Sequence, residues 1–299
     1  MWFLMMLIAV CEPACQVTVA PAEHLQVEVG GEGPPVVLLP GLFGSAFGFR
    51  HITGQLQERG YRTIVVEPLG IGRSSRPRRA DYSLTAQSDR IAAVLDSIGV
   101  TDALFLAHSM GASMALRLGY RRPDLMRGLI SLDGGAAETV VTPSFRRALR
   151  LAPLLRLVGG RGLMRRQLVE QLTSASGDPG WITSEVIEGY AAAGFADLGR
   201  TLDALQGMAR AREPEELGPR LADIQTPILL LVGTAPRSAG LAESELARLQ
   251  EQLPALIIER LSGVGHYIHE EAAAAVIAAV ARFDGTLLVR AVSPATGGN

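Results

Sequence analysis

Lysine is missing from this chain: all 28 basic side chains among its 299 residues are arginine. No mechanism that needs a lysine, as Schiff-base former or as general base, is open to it. The bias itself reads as coding composition rather than chemistry. Cysteine is nearly missing too. Cys11 and Cys15 both precede the patterned part of the chain, so neither is placed to staple a core. Neither sign of charge dominates, the net being −2 at pH 7, and nothing global recruits nucleic acid. What is present is 48% hydrophobic and 19% charged residues, the mixture of a globular body. The length holds one large α/β domain with an insertion, or two modest domains.

The apolar run Met1 to Val10 is too short to span a bilayer as a helix of about 20 residues. It has the size of the apolar region of a signal peptide, although the first basic residue of the chain is Arg50. Ile8-Ala9-Val10-Cys11 faintly resembles a bacterial lipid-attachment site. Residues 1–20 are therefore read as a signal peptide or an N-terminal extension. Export or lipid anchoring in a bacterial cell envelope is favoured over a cytoplasmic location.

From residue 24 the chain alternates strands and helices as a parallel sheet requires. His24 to Val29 and Val36 to Pro40 read as an antiparallel opening pair joined by Gly30-Gly31-Glu32-Gly33. Thr63 to Val66, Ala103 to Ala107, Gly128 to Leu132 and Ile228 to Val232 are short continuous apolar runs, as strands buried on both faces are. Ala255 to Glu259 completes the sheet. Helical patterns occupy 46–59, 85–98, 109–121, 241–252 and 270–283, with Ser83 and Gln87 signalling the start of the second. Some 90 residues, from Gly134 to about Ile224, separate two of the strands, far more than one crossover helix needs. They read as a helical lid over the carboxyl edge of the sheet, where ligands bind in open α/β folds. The expected division is a core of 24–133 and 225–285, a lid of 134–224 and a tail of 286–299.

Ala107-His108-Ser109-Met110-Gly111, between an apolar strand and a helix-forming stretch, reads as a nucleophile elbow. A serine turned sharply there adopts strained dihedrals, so the residues two before and two after it must be small. The turn sets the Ser109 hydroxyl over a helix N-terminus, where unpaired N–H groups favour a developing anion. A serine needs a positioned base near pH 7, and histidine suits that role.

Four motifs in order resemble those of the α/β-hydrolase superfamily, of the serine-nucleophile, esterase- or lipase-like type, from about His24 to Phe283. They are Leu38 to Ser45, similar to the family's oxyanion loop with Pro40 where a histidine is usual; Glu67 to Pro77, with Glu67 where an aspartate is common; the elbow; and Gly263-Val264-Gly265-His266-Tyr267 followed by Glu270-Glu271. The resemblance implies a mostly parallel, doubly wound sheet of eight strands, helices on both faces, and a lid inserted after the sixth strand. It implies Ser109 as nucleophile, His266 as base, and the N–H groups of Leu42 and Met110 as oxyanion donors. His108 is a pocket or packing residue and only a second choice of base.

The acid is where the sequence departs from the family. Pro236 stands where the carboxylate is expected, in Gly233-Thr234-Ala235-Pro236-Arg237. Asp133, after the strand ending at Leu132, is the best substitute, since some members of the superfamily take their acid there. Glu243 and Glu245 come next, and Asp133 as a mere turn cap is the plain alternative.

The expected activity is hydrolysis of a carboxylic ester or related acyl bond through an acyl-enzyme, with no cofactor and no metal. Thioesterase, carbon–carbon bond hydrolase, lactonase and cofactor-free haloperoxidase remain alternatives. So does a ligand-binding or sensory protein with slow turnover or none, because of Pro236. Ser109 argues against the dehalogenases and epoxide hydrolases of this fold, which attack with Asp. The expected partner is a small acyl substrate. From Thr139 to Val169 seven arginines (Arg146, Arg147, Arg150, Arg156, Arg161, Arg165 and Arg166) and no acid alternate with leucines. That segment is a solvated helix face or a contact for an anionic membrane. The sequence is silent on oligomeric state.

Overall fold

The computed structural model describes residues 13–141, 146–147, 149 and 160–292. Eight strands form one sheet: β1 (Ala14–Ala20), β2 (Glu23–Gly30), β3 (Pro35–Leu39), β4 (Arg62–Val66), β5 (Ala103–His108), β6 (Met126–Leu132), β7 (Ile228–Gly233) and β8 (Leu256–Leu261). Their order is β1-β2-β4-β3-β5-β6-β7-β8, parallel from β4 to β8 and antiparallel at β1 and β2.

Two expectations are corrected at this edge. The segments 24–29 and 36–40 do not pair with each other. β4 lies between them, with Val27 opposite Val66 and Val37 opposite Ile64. Instead β2 pairs with β1, so 14–20 belongs to the sheet rather than to an extension, and the core begins ahead of residue 24. Residues 1–12 lie outside the described residues.

Side-chain alternation along the strands divides the core into two layers. Val27, Val37, Leu39, Ile64, Phe105, Leu129 and Leu230 face one side. There they pack against α2 (Leu84–Ser97), α3 (Met110–Arg121) and α7 (Glu243–Gln252). Their neighbours Val36, Leu38, Val65, Leu104, Leu106, Ile130 and Leu229 face the other side, covered by α1 (Arg50–Gln57) and α9 (Ala273–Val292). The sheet is thus doubly wound.

Ser83 caps α2 by accepting the Ala86 N–H at 3.2 Å, whereas Gln87 is used elsewhere, bonding both backbone groups of Leu69. The helical pattern at 270–283 resolves into α8 (Ile268–Glu271) and the 20-residue α9, which carries the core beyond 285 into the expected tail. Between β6 and β7 stand α4 (Gly160–Ala175), α5 (Ser184–Ala196) and α6 (Leu198–Arg210). Leu168, Leu172, Val186 and Tyr190 of α4 and α5 form a separate cluster with Tyr267.

Candidate active site

The carboxyl ends of β3, β5, β6 and β7 and the loop after β8 meet at one place. β5 is buried along its whole length and turns at Ser109, whose φ of 52° and ψ of −119° lie in the left-handed half of backbone space. A residue held there carries strain of about 1–3 kcal/mol. Its N–H donates to the Leu132 carbonyl at 3.0 Å, tying the turn to the end of β6. The small residue after it is required by close approach: a Cβ on Gly111 would sit 2.5 Å from the Leu39 carbonyl oxygen. The N–H groups of Met110 and Leu42 have no protein acceptor among the described residues.

The loop carrying Leu42 is fixed from below by Glu67. Its buried carboxylate accepts the Ala46 N–H at 2.8 Å with one oxygen and the Arg73 N–H with the other. Burial pushes this carboxyl above the usual glutamate range, against the pull of those two hydrogen bonds. The glutamate thus ties the Leu38 to Ser45 motif to the Glu67 to Pro77 motif.

Asp133 and His266 come together although 133 residues separate them: the Asp133 Oδ2 is 2.7 Å from His266 Nδ1. Asp133 is buried, has φ of 49°, and is anchored through its N–H to the Leu231 carbonyl. With Nδ1 facing the carboxylate, Nε2 of His266 has no hydrogen-bond partner among the described residues. The other two acids considered are elsewhere. Glu243 pairs with Arg260 and Glu245 with Arg248, each at 2.8 Å on the surface side of α7.

His108 points its Nε2 at the His266 carbonyl oxygen, 3.1 Å away, with the two rings 4.7 Å apart. Only a protonated Nε2 can donate there. Burial holds the His108 imidazole well below the usual histidine range, with the neighbouring His269 and His266 adding to it. His269 is likewise pushed down by burial, to about 3. Tyr190 donates to Glu270 Oε1 at 2.7 Å and lies 3.3 Å from His269 Nε2, and Glu270 is paired with Arg50 at 2.7 Å. Burial raises the Tyr190 phenol well above its ordinary value.

Sequence reading passed over two participants. Arg237 follows the position where the acid was expected; its Nη2 is 2.7 Å from the second oxygen of Asp133. The only signal for it was its neighbourhood, since a carboxylate buried elsewhere needs a cation or N–H donors. The other is Ala175, whose carbonyl accepts the His266 N–H at 2.7 Å and so fastens α4 to the histidine loop.

Beneath α4, α5 and α6 lies a cavity of about 520 Å³. Phe43 and Gly44 of the Leu42 loop, Gly70 to Gly72, and Leu163, Leu168, Phe195, Leu202 and Leu205 line it. Arg76 and Glu170 are its charged wall residues, and burial lowers the Arg76 guanidinium from its usual value. A second space of about 10 Å³, room for roughly one water, lies between the Leu42 loop and His108, Tyr190 and His269. Of the arginine-rich segment, Arg146, Arg147, Arg161, Arg165 and Arg166 are exposed, and Arg165 pairs with Glu188 at 3.0 Å. Arg150 and Arg156 lie outside the described residues.

A family model described as the alpha/beta hydrolase fold matches residues 34–155. The chain is 29% identical over 265 residues to the magnesium-chelatase 30 kDa subunit of Rhodobacter capsulatus, covering 85% of this chain and 88% of that one. It is 27% identical over 246 residues to the sn-1-specific diacylglycerol lipase ABHD11 of Xenopus tropicalis, covering 80% and 74%. Among solved structures, a bromoperoxidase from Bacillus anthracis superposes with a TM-score of 0.75 at 17% identity, over 91% of this chain and 99% of the other. That last likeness speaks for the fold alone.

Proposed function

We propose that the chain, which has the α/β-hydrolase fold, is a serine hydrolase cleaving a carboxylic ester, or a related acyl bond, through an acyl-enzyme. The observation that carries this reading is the 2.7 Å contact of Asp133 with His266, whose ring lies 4.7 Å from that of His108, the residue before Ser109.

Asp133 holds the proton of His266 on Nδ1, so Nε2 is the basic nitrogen. Nε2 takes the Ser109 proton as Oγ attacks the carbonyl carbon. The negative charge that develops on the carbonyl oxygen is met by the Leu42 and Met110 N–H groups; one such donor is worth about 10²- to 10³-fold in rate. Collapse expels the alcohol, which receives the proton from His266. Water, activated by the same nitrogen, then releases the acid. Thioesters, lactones and activated carbon–carbon bonds can be attacked by Ser109 in the same way, and in perhydrolysis hydrogen peroxide replaces water in the second step, releasing a peracid. The apolar cavity of about 520 Å³ favours a medium-sized apolar acyl group. The helices over it act as a lid.

The reading as a pocket protein without turnover drew on Pro236. A carboxylate against His266 favours turnover over that reading. A fluorophosphonate probe followed by mass spectrometry tests the proposal, alongside p-nitrophenyl esters of graded chain length. Labelling of Ser109 with turnover lost in Ser109→Ala supports it. Equal weak turnover in both proteins overturns it. Asp133→Asn is expected to lower kcat about 10⁴-fold; a loss under about tenfold removes Asp133 from the triad.

A further inference from the structure

Arg237 lies against the Asp133–His266 pair and takes no part in the proton transfers above. We infer that it is a positioning residue for the reaction: its guanidinium fixes the Asp133 carboxylate against His266 and, by sharing its charge, keeps His266 unprotonated to lower pH than Asp133 alone would allow. The inference rests on the Ser109 hydrolase reading.

Three features carry it. First, the carboxylate has one partner on each oxygen among the described residues, Arg237 Nη2 on Oδ1 and His266 Nδ1 on Oδ2, both at 2.7 Å. Among the described residues Arg237 is the one donor on Oδ1, so with His266 on Oδ2 it fixes the rotation of the carboxylate. Second, the guanidinium is itself fixed. Its Nη1 donates to the Gly233 carbonyl and, at 3.2 Å, to the Ala235 carbonyl of its own loop. The side chains of Arg237 and Asp133 are only 9% and 0% exposed, so water screens the pair less than it would at the surface. Third, the pair is roofed by bare backbone. Gly240 has φ of 116°, and a Cβ there would lie 2.5 Å from Asp133 Oδ2 and 2.6 Å from Arg237 Nε.

The order of charges is cation, anion, imidazole. A carboxylate favours the imidazolium, and a cation on its far oxygen opposes it. Other groups also face His266. The rings of His108, at the end of β5, and Tyr267 lie 4.7 and 5.5 Å from it; His269 packs on His108, and Glu271 Oε2 accepts the N–H of Gly265, the residue before the histidine, at 3.0 Å. Burial keeps His108 and His269 neutral and raises the Tyr267 phenol. Arg50 and Glu270 behind them compensate each other. The carboxylates of Asp133 and Glu271 and the guanidinium of Arg237 are therefore the charges that set the balance.

The test is the pH dependence of kcat/KM for a neutral p-nitrophenyl ester with wild type, Arg237→Gln and Arg237→Lys. Titration of the His266 ring by NMR is run in parallel. Arg237→Gln is expected to lower kcat and to move the acid limb of the profile upward by about one pH unit, with the ring titration moving alike. Arg237→Lys is expected to return the limb toward the wild-type position while recovering the rate only in part. Should Arg237→Gln fold poorly, Arg237→Lys is read against wild type, and a smaller upward movement is expected because an ammonium cannot hold Oδ1 and the loop carbonyls together. A rate lowered equally at every pH, with the limb and ring midpoint unmoved, overturns the inference and leaves Arg237 a structural residue. A ring midpoint that moves in a protein without ester turnover supports the coupling and refutes the hydrolase reading, so the two failures are told apart.

Discussion

The Ala175 carbonyl, at the last turn of α4, accepts the His266 N–H at 2.7 Å, so the proposed lid holds the proposed base by its backbone. Ser238 N–H to the Ser174 carbonyl, and the Gly177 and Asp178 N–H groups to Glu271 Oε2, extend the same seam. Lid position and histidine position are thus one variable.

Gly265 lies in that seam, and a methyl group on it would overlap the backbone of Ala175 and Gly177. Gly265→Ala is expected to push α4 off the loop, cost about 1–3 kcal/mol and lower kcat far more than it changes KM. Urea denaturation with steady-state kinetics checks it; unchanged kcat would uncouple lid from base.

Two buried neutral imidazoles make stability depend on pH. His108 and His269 both have folded-state values below that of the unfolded chain, in each case chiefly through burial. Between about pH 6.5 and the lower folded value the unfolded chain binds more protons, so their contribution is full above about 6.5 and is lost on acidification. Melting temperature is expected to fall steeply below about pH 6.5, on the order of 1 kcal/mol per pH unit for each ring. His269→Phe is expected to flatten the curve; the same slope in both proteins would assign the loss elsewhere.

Glu67 offers an oxygen to each of two backbone N–H groups, and glutamine offers one. Glu67→Gln is expected to leave a buried donor without an acceptor, at about 1–3 kcal/mol. It should also loosen the Leu42 loop, seen as a lower kcat at nearly constant KM. Thermal denaturation and kinetics decide, and a variant of full stability would show that one of the two bonds is dispensable.

The turn at Ser109 stores backbone strain. Ser109→Gly is expected to stabilise the protein by about 1 kcal/mol, the relief at a positive φ exceeding the entropy that glycine adds to the unfolded chain. Ser109→Ala keeps a Cβ and should gain less. Both should lack turnover. Equal stability of the two variants in urea would mean that the turn is unstrained.

What could be read from the sequence follows from range. Four inner strands, β4, β5, β6 and β7, were visible because burial on both faces leaves a continuous apolar run, and α2 because Ser83 caps it locally. The elbow was visible because its small residues are adjacent in the chain. The edge was misread because Gly30 to Gly33 looks like a hairpin turn, whereas the partner of β2 arrives some 35 residues later as β4. β1 was hidden because only Cys15, Val17 and Val19 of it face the core, in half-buried alternation. Asp133 could be nominated from its place after β6, but Arg237 could not, because a charge partner across two strand ends leaves no local pattern.

β1 also decides what the edge of the sheet exposes. It runs parallel to β4 through two antiparallel pairings, with Ala14 level with Glu28 and, through it, with Val65. A chain cut back beyond Ala20 would bare β2 as a row of unpaired N–H and C=O groups, a template that a strand of another molecule can join.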